Sequence, residues 1–169
     1  MHSRIMVLSS PINEDTDIGS LEPLTSKGLN IIEDWLVSND IDYIRECEKT
    51  YWWEDLQWLC AVYPFIKLED ENGQYFLVFE RKTILQYFEE KLNKLKDLVN
   101  NITAEDFAHS YPKIYDIQEC VDNHYGFKII TVEEDGLPYD TYALDDYLRF
   151  VSHTDKVKVK VQGVLDYHY

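Results

Sequence analysis

The run Lys156-Val157-Lys158-Val159-Lys160-Val161 alternates without a break. Side chains of a strand point to opposite faces with a period of two. This segment is therefore a strand that buries three valines and carries three lysines on its other face. It commits the chain to a sheet with a covered side, and Gly163 just beyond it marks a bulge. Other segments supply the neighbours. Residues 3–9 are apolar and β-branched and end before Pro11, which reads as a short buried strand. Ile66 and Leu68 alternate with Lys67 and Glu69, and Asn72-Gly73 supplies the pair of positive φ angles that a tight hairpin needs. The return strand, Tyr75-Phe76-Leu77-Val78-Phe79, is apolar nearly throughout, so it belongs in the middle of the sheet, covered on both faces. A further strand spans 127–132 and turns at Glu134-Asp135-Gly136.

Between these strands the period changes to that of a helix. Leu29, Ile32, Trp35 and Leu36 recur at helical spacing behind Gly28, and Ile41 and Ile44 continue the pattern past Ser38-Asn39. Trp52, Leu56, Leu59 and Val62 mark another helix, closed by Pro64. Ile84, Phe88, Leu92, Leu95 and Val99 form one stripe of a long helix over 83–100. Thr103 reads as the N-cap of a short helix with Asp106 at its third position. Pro112 suits the first turn of the next helix, which runs to about residue 123. Asp140 or Thr141 caps a last helix carrying Leu144, Tyr147, Leu148 and Val151. Residues 12–27 are polar and without period, a loop or an ordered arm. Strands and helices mix without a regular βαβ rhythm and without repeats. The expected fold is α+β: one domain over 1–169, with a mixed or antiparallel sheet of about four to six strands packed with several helices.

Composition excludes several classes of function. A chain of 169 residues with 45% hydrophobic and 14% aromatic residues is too apolar for a disordered acidic tail. Its 32 Asp and Glu stand against 16 Lys and Arg, a net charge of −16, which argues against direct contact with nucleic acid. No apolar window is long enough to span a membrane, and residues 1–8 are too short an apolar run for a signal peptide. Cys47, Cys60 and Cys120 are odd in number and lack metal or redox spacing. They read as buried thiols in a reducing cytosol. No cofactor or metal is expected.

The negative charge is unevenly spread. Residues 1–80 hold 16 acids and 5 bases, residues 81–169 hold 16 and 11, and the stretch 12–62 alone holds 12 acids against 3 bases. The candidate partner-binding surface is therefore Glu33, Asp34, Asp40, Asp42, Glu46, Glu54 and Asp55, with Tyr43 and Tyr51 among them. Glu69-Asp70-Glu71 and Asp140, Asp145 and Asp146 are expected to extend it. On a helix, residues four apart lie about 6 Å apart along the axis, so Asp42 and Glu46 would form a row like the charges of a phosphate backbone. Carboxylates closer than a Debye length of about 8 Å repel one another, which favours a cationic partner. Tyr139, Tyr142 and Tyr147 flank the second acidic group, and tyrosine and tryptophan serve as interface anchors. The simpler reading is a solvated acidic face, with Trp35, Trp52 and Trp58 packed inward.

In overall character, compact, strongly acidic and rich in tyrosine, the chain resembles the DNA-mimicking antirestriction and anti-CRISPR proteins of phages and mobile elements. The resemblance implies a cytosolic, non-enzymatic inhibitor that occupies a basic nucleic-acid-binding channel of a defence nuclease, with carboxylates in place of phosphates. An immunity or antitoxin protein that neutralises a basic toxin would use nearly the same physics. A third reading is a small hydrolase or metal-dependent enzyme. Asp116, Cys120 and His124 fall at i, i+4 and i+8 of a helix, and Cys120 with His109 or His124 would give a thiol and a base. Zinc usually takes four ligands, and a core cysteine with a surface histidine is the simpler account. Adjacent carboxylates (Glu33-Asp34, Glu54-Asp55, Glu133-Glu134) are expected by chance among 32 acids. The lysine row at 156–160 reads as a contact for an anion, or more simply as protection of an edge strand or neutralisation of the protein's own acids.

Overall fold

The computed structural model of the chain describes residues 2–37, 43–122 and 127–168. Among these, the elements run β1 (His2–Ser9), α1 (Ser26–Val37), β2 (Tyr43–Glu46), α2 (Lys49–Val62), β3 (Ile66–Glu71), β4 (Gln74–Glu80) and α3 (Arg81–Asn100). They continue with α4 (Ala104–His109), α5 (Tyr111–Asp122), β5 (Lys128–Val132), β6 (Pro138–Ala143), α6 (Leu144–Val151) and β7 (Lys156–His168). The fold is α+β, with a seven-stranded mixed sheet in the order β3-β4-β7-β1-β5-β6 and β2 added beside β7. Among the described strands only β1 and β5 pair in parallel. The 13 residues of β7 are the spine. β4 pairs with its first half and β2 with its last four residues.

Burial follows from the alternation. Val157, Val159 and Val161 face one side of the sheet together with Met6, Leu8, Leu77 and Phe79. That side is closed by Trp52, Leu56 and Leu59 of α2, Ile84 of α3, and Tyr147, Leu148 and Val151 of α6. Ile5, Val7, Ile130, Val132, Leu165 and Tyr167 face the other side, beneath α1 and Leu24 of the arm before it. β1 is thus covered on both faces, as its unbroken apolar run requires. The ladder slips between Val7 and Leu8, where Val161 and Gly163 oppose them and Gln162 is the extra residue, so the bulge lies where Gly163 signalled it. In the β3–β4 hairpin Asn72 and Gly73 have φ of 56° and 77°, the pair of left-handed conformations that matches the strand twist. A Cβ on Gly28 would lie 2.5 Å from the Gly136 carbonyl oxygen, so α1 seats against the β5–β6 turn only because that position has no side chain.

Thr103 caps α4 in a reciprocal box with Asp106. Lys113 and the bonds from Thr103 hold the Asp106 carboxyl down at about 2. All three cysteines are free thiols. No helix among the described residues is long and apolar enough to cross a membrane.

Five expectations need correction. Ile44 lies not on a helix but in β2, and Ile41 lies outside the described residues. Asp140 and Thr141, read as alternatives for the cap of a helix, lie in β6. The α6 N-cap is Ala143, with no side-chain cap bond, so neither Asp140 nor Thr141 fills that role. Both extra strands sit at sheet edges and are largely exposed, so no apolar alternation marked them. They raise the strand count to seven. The lysine row is not on an outer strand of the sheet, because β7 lies between β4 and β1, although at residues 156–160 the ladder runs to β4 alone. Of the tryptophans expected inside, Trp52 is buried while Trp35 and Trp58 are exposed.

Candidate functional site

A row of charges crosses three strands at matched register. Arg4 of β1 and Arg45 of β2 both lie opposite Asp166 of β7. Asp166 is only 2% exposed, so its carboxylate needs charged donors to be tolerated there. Arg4 Nη1 donates to Asp166 Oδ1, and Arg45 Nη2 lies 3.2 Å from Oδ2. Arg4 Nε donates on to Asp55 Oδ1 of α2 at 3.1 Å. Burial alone would lower the Arg4 pKa, but Asp55 and Asp166 outweigh it and hold it above its ordinary value.

Over this floor opens a cleft of about 370 Å³, walled by Glu46, Cys47, Glu48, Tyr51 and Glu54. Trp52 Nε1 donates to the Cys47 carbonyl at 2.9 Å, which fixes the joint between β2 and α2. Tyr51 and Glu54 stand three residues apart on α2 and so share a face of that helix. Desolvation raises the Glu46 carboxyl above its ordinary value. It also raises the Cys47 thiol, which makes a poor nucleophile. Tyr43 of β2 stacks on His168 with ring centroids 5.9 Å apart. Among the described residues β2 pairs only with β7, so its other edge carries no strand.

α1 packs against β2 and presents half-buried Glu33 and exposed Asp34. Glu33, Asp34, Glu46, Glu48 and Glu54 thus sit on adjoining elements. None of them forms an ion pair with a described residue. No family model, curated protein or solved structure matches this chain. The site is therefore read from its own chemistry: five carboxylates that form no ion pair among the described residues, a tyrosine ring and a strand edge that no described strand covers suit a ligand bearing guanidinium or ammonium groups.

The remaining candidates divide. Asp55 belongs to the floor, bonded to Arg4. Asp40 and Asp42 lie outside the described residues. The helical row of Asp42 and Glu46 does not hold, because Glu46 is in a strand. Glu69 and Glu71 are turned to Lys158, and Asp70 accepts the Gly73 amide at 2.8 Å across the hairpin turn. Asp145 is buried, accepting from Lys91 Nζ and, at 2.9 Å, from the Tyr87 hydroxyl. It cannot meet a partner. Asp146 pairs with Arg149, and Asp140 accepts the Thr141 amide at 2.8 Å. Tyr147, expected as an anchor, is buried against Phe79.

Cys120 is buried, with its thiol toward the Lys91 carbonyl at 3.4 Å, and His124 lies outside the described residues. Among the described residues no three His, Cys, Asp or Glu side chains converge as a metal site requires. Sequence reasoning missed the floor of the cleft, Arg4, Arg45 and Asp166. A signal was present: Arg4 and Asp166 are single charges set in apolar strand segments, where a charge survives only with a partner.

Proposed function

We propose that the protein is a non-enzymatic inhibitor that seats the α1–β2–α2 edge on a basic, nucleic-acid-binding surface of a defence nuclease of the CRISPR or restriction type. One observation carries this reading: the acids of this edge have no cations of their own among the described residues, while most other candidate acids do. Unpaired carboxylates held on ordered elements repel one another until a cationic surface arrives. The mechanism is competition. Glu33, Asp34, Glu46, Glu48 and Glu54 take the places of phosphates on lysines and arginines of the partner. Tyr51 and Tyr43 add ring contacts, and the open edge of β2 offers backbone donors and acceptors. An attraction of this kind speeds encounter and weakens with salt.

The test is displacement of fluorescent DNA from a purified CRISPR effector or restriction enzyme, followed by polarisation at low and high salt. The expected result is inhibition that falls as salt rises and is lost in the triple variant Asp34→Lys, Glu46→Lys, Glu54→Lys. Inhibition that survives in the triple variant overturns the reading. Protection against a single basic toxin, with no effect on DNA loading by either nuclease class, transfers it to an immunity protein.

A further inference from the structure

The long helix α3 carries a surface that the acidic edge does not explain. Leu85, Leu92 and Val99 are 50%, 49% and 50% exposed. They are seven residues apart, so they line one stripe along a helix of about 30 Å. Half-exposed aliphatics in a row differ from the scattered apolar residues that any surface shows. Glu89 and Lys96 flank the stripe, in the order Leu85, Glu89, Leu92, Lys96, Val99. These two charges are seven residues apart, about 10 Å along the axis, too far to pair with each other. Neither forms an ion pair with a described residue.

That order is complementary to its own reverse. We propose that α3 is the contact between two copies of this chain, laid antiparallel about a two-fold axis near Leu92. Leu85 then meets Val99 of the second copy, Leu92 meets its own counterpart, and Glu89 meets Lys96 twice. An isologous contact requires such self-complementarity. A strict seven-residue spacing drifts about 20° per heptad on a straight helix, which suits the left-handed crossing of paired helices. Net charge points to the same element. α3 holds five basic and three acidic residues in a chain with twice as many acids as bases; with Lys91 and Arg81 paired to Asp145 and Asp155, its remaining charges balance, so two copies can approach here without facing each other's negative surfaces. Phe88, with the Arg149 guanidinium 5.5 Å from its ring centre, borders the stripe on the side toward α6. A stripe one helix wide stays below the roughly 1,200 Å² of a stable interface, so the dimer forms with rising concentration.

Sedimentation velocity at physiological salt, from low micromolar to several hundred micromolar protein, tests this. The intact chain is expected to pass from monomer to dimer. Leu92→Glu puts two carboxylates on the axis and should weaken association about a hundredfold. Glu89→Lys sets lysine against lysine twice and should weaken it about tenfold. Glu89→Lys combined with Lys96→Glu restores the pairs and should recover the original association. Circular dichroism checks that each variant keeps its fold. A chain that stays monomeric throughout overturns the proposal. So does a dimer indifferent to Leu92→Glu, or a charge-exchanged double variant no better than the single one.

Discussion

Glu46 on β2 with Glu48 just after it, and Glu69 and Glu71 on β3, are carboxylates at two edges of one sheet, and they differ in what faces them. β7 runs between both edges and explains the difference. Its first half is basic: Lys158 reaches Glu69 and Glu71, while Lys160 Nζ donates to the carbonyls of Ile18 and Leu21 at 3.3 and 3.0 Å. Its last half carries an acid, Asp166. The two arginines brought to that end are already engaged by Asp166 and Asp55. Glu46, Glu48 and Glu54 form no ion pair with any described residue. Acid content alone therefore does not make a cation-seeking surface; what matters is whether the fold has already committed the neighbouring cations.

The largest test of this comparison is stability. Asp166→Ala takes the buried acceptor from Arg4, which keeps Asp55, and from Arg45, whose side chain is largely exposed, and should cost about 3 kcal/mol in urea unfolding. Asp145→Ala leaves Lys91 and the Tyr87 hydroxyl without their acceptor and should cost about 3 kcal/mol. Glu54→Gln, on the unpaired edge, should stay within about 0.5 kcal/mol. If Glu54→Gln proved as costly as Asp145→Ala, the division into committed and uncommitted acids would break.

The same division shows what the sequence could reveal. Elements that bury a periodic apolar face were legible: the valines of β7, the Tyr75 to Phe79 run, the leucines of α2. The Asn72-Gly73 turn and the Thr103 cap were legible because their chemistry is local. β2 and β6 were not, because edge strands of exposed residues carry no alternation and are held by backbone bonds to distant segments. The acids were legible only as a total. Asp145 and Asp34 look alike along the chain, and only the packing of α6 against α3 puts one of them in the core. Likewise, Lys158 could not be matched to Glu69 and Glu71 before the order β3-β4-β7 was known, since they lie 89 and 87 residues apart.

A smaller effect comes from turning one region into the other. Lys158→Met keeps the apolar stem over Phe76, whose ring centre lies 4.4 Å from the lysine Nζ, but removes the charge. Stability should fall by no more than about 1 kcal/mol, since the ion pairs are partly exposed. Glu69 and Glu71 then lose their bonded cation, with Lys156 and Lys67 left only as neighbouring charges of Glu69, and affinity for a short polylysine probe at low salt should rise. If the intact protein and the variant bound the probe equally, commitment of the lysine would not be what silences this edge.

The smallest effect is in titration, and it separates the two glutamates by sign. The bond from Lys158 holds Glu69 below its ordinary value of 4.5, while desolvation lifts Glu46 above it. Glu69 therefore stabilises the fold fully above the ordinary value, and that contribution is lost as pH falls through its lower folded pKa. Glu46 works the other way. Between 4.5 and its raised pKa the folded chain binds more protons than the unfolded one, so lowering the pH through that window favours the fold. Side-chain carboxyl resonances followed by NMR should show the two midpoints on opposite sides of 4.5, and equal midpoints would remove the distinction. A cation seated beside Glu46 should pull its midpoint down and release a proton on binding, so affinity should rise with pH across that window, and rise less steeply for a variant with Glu46→Gln.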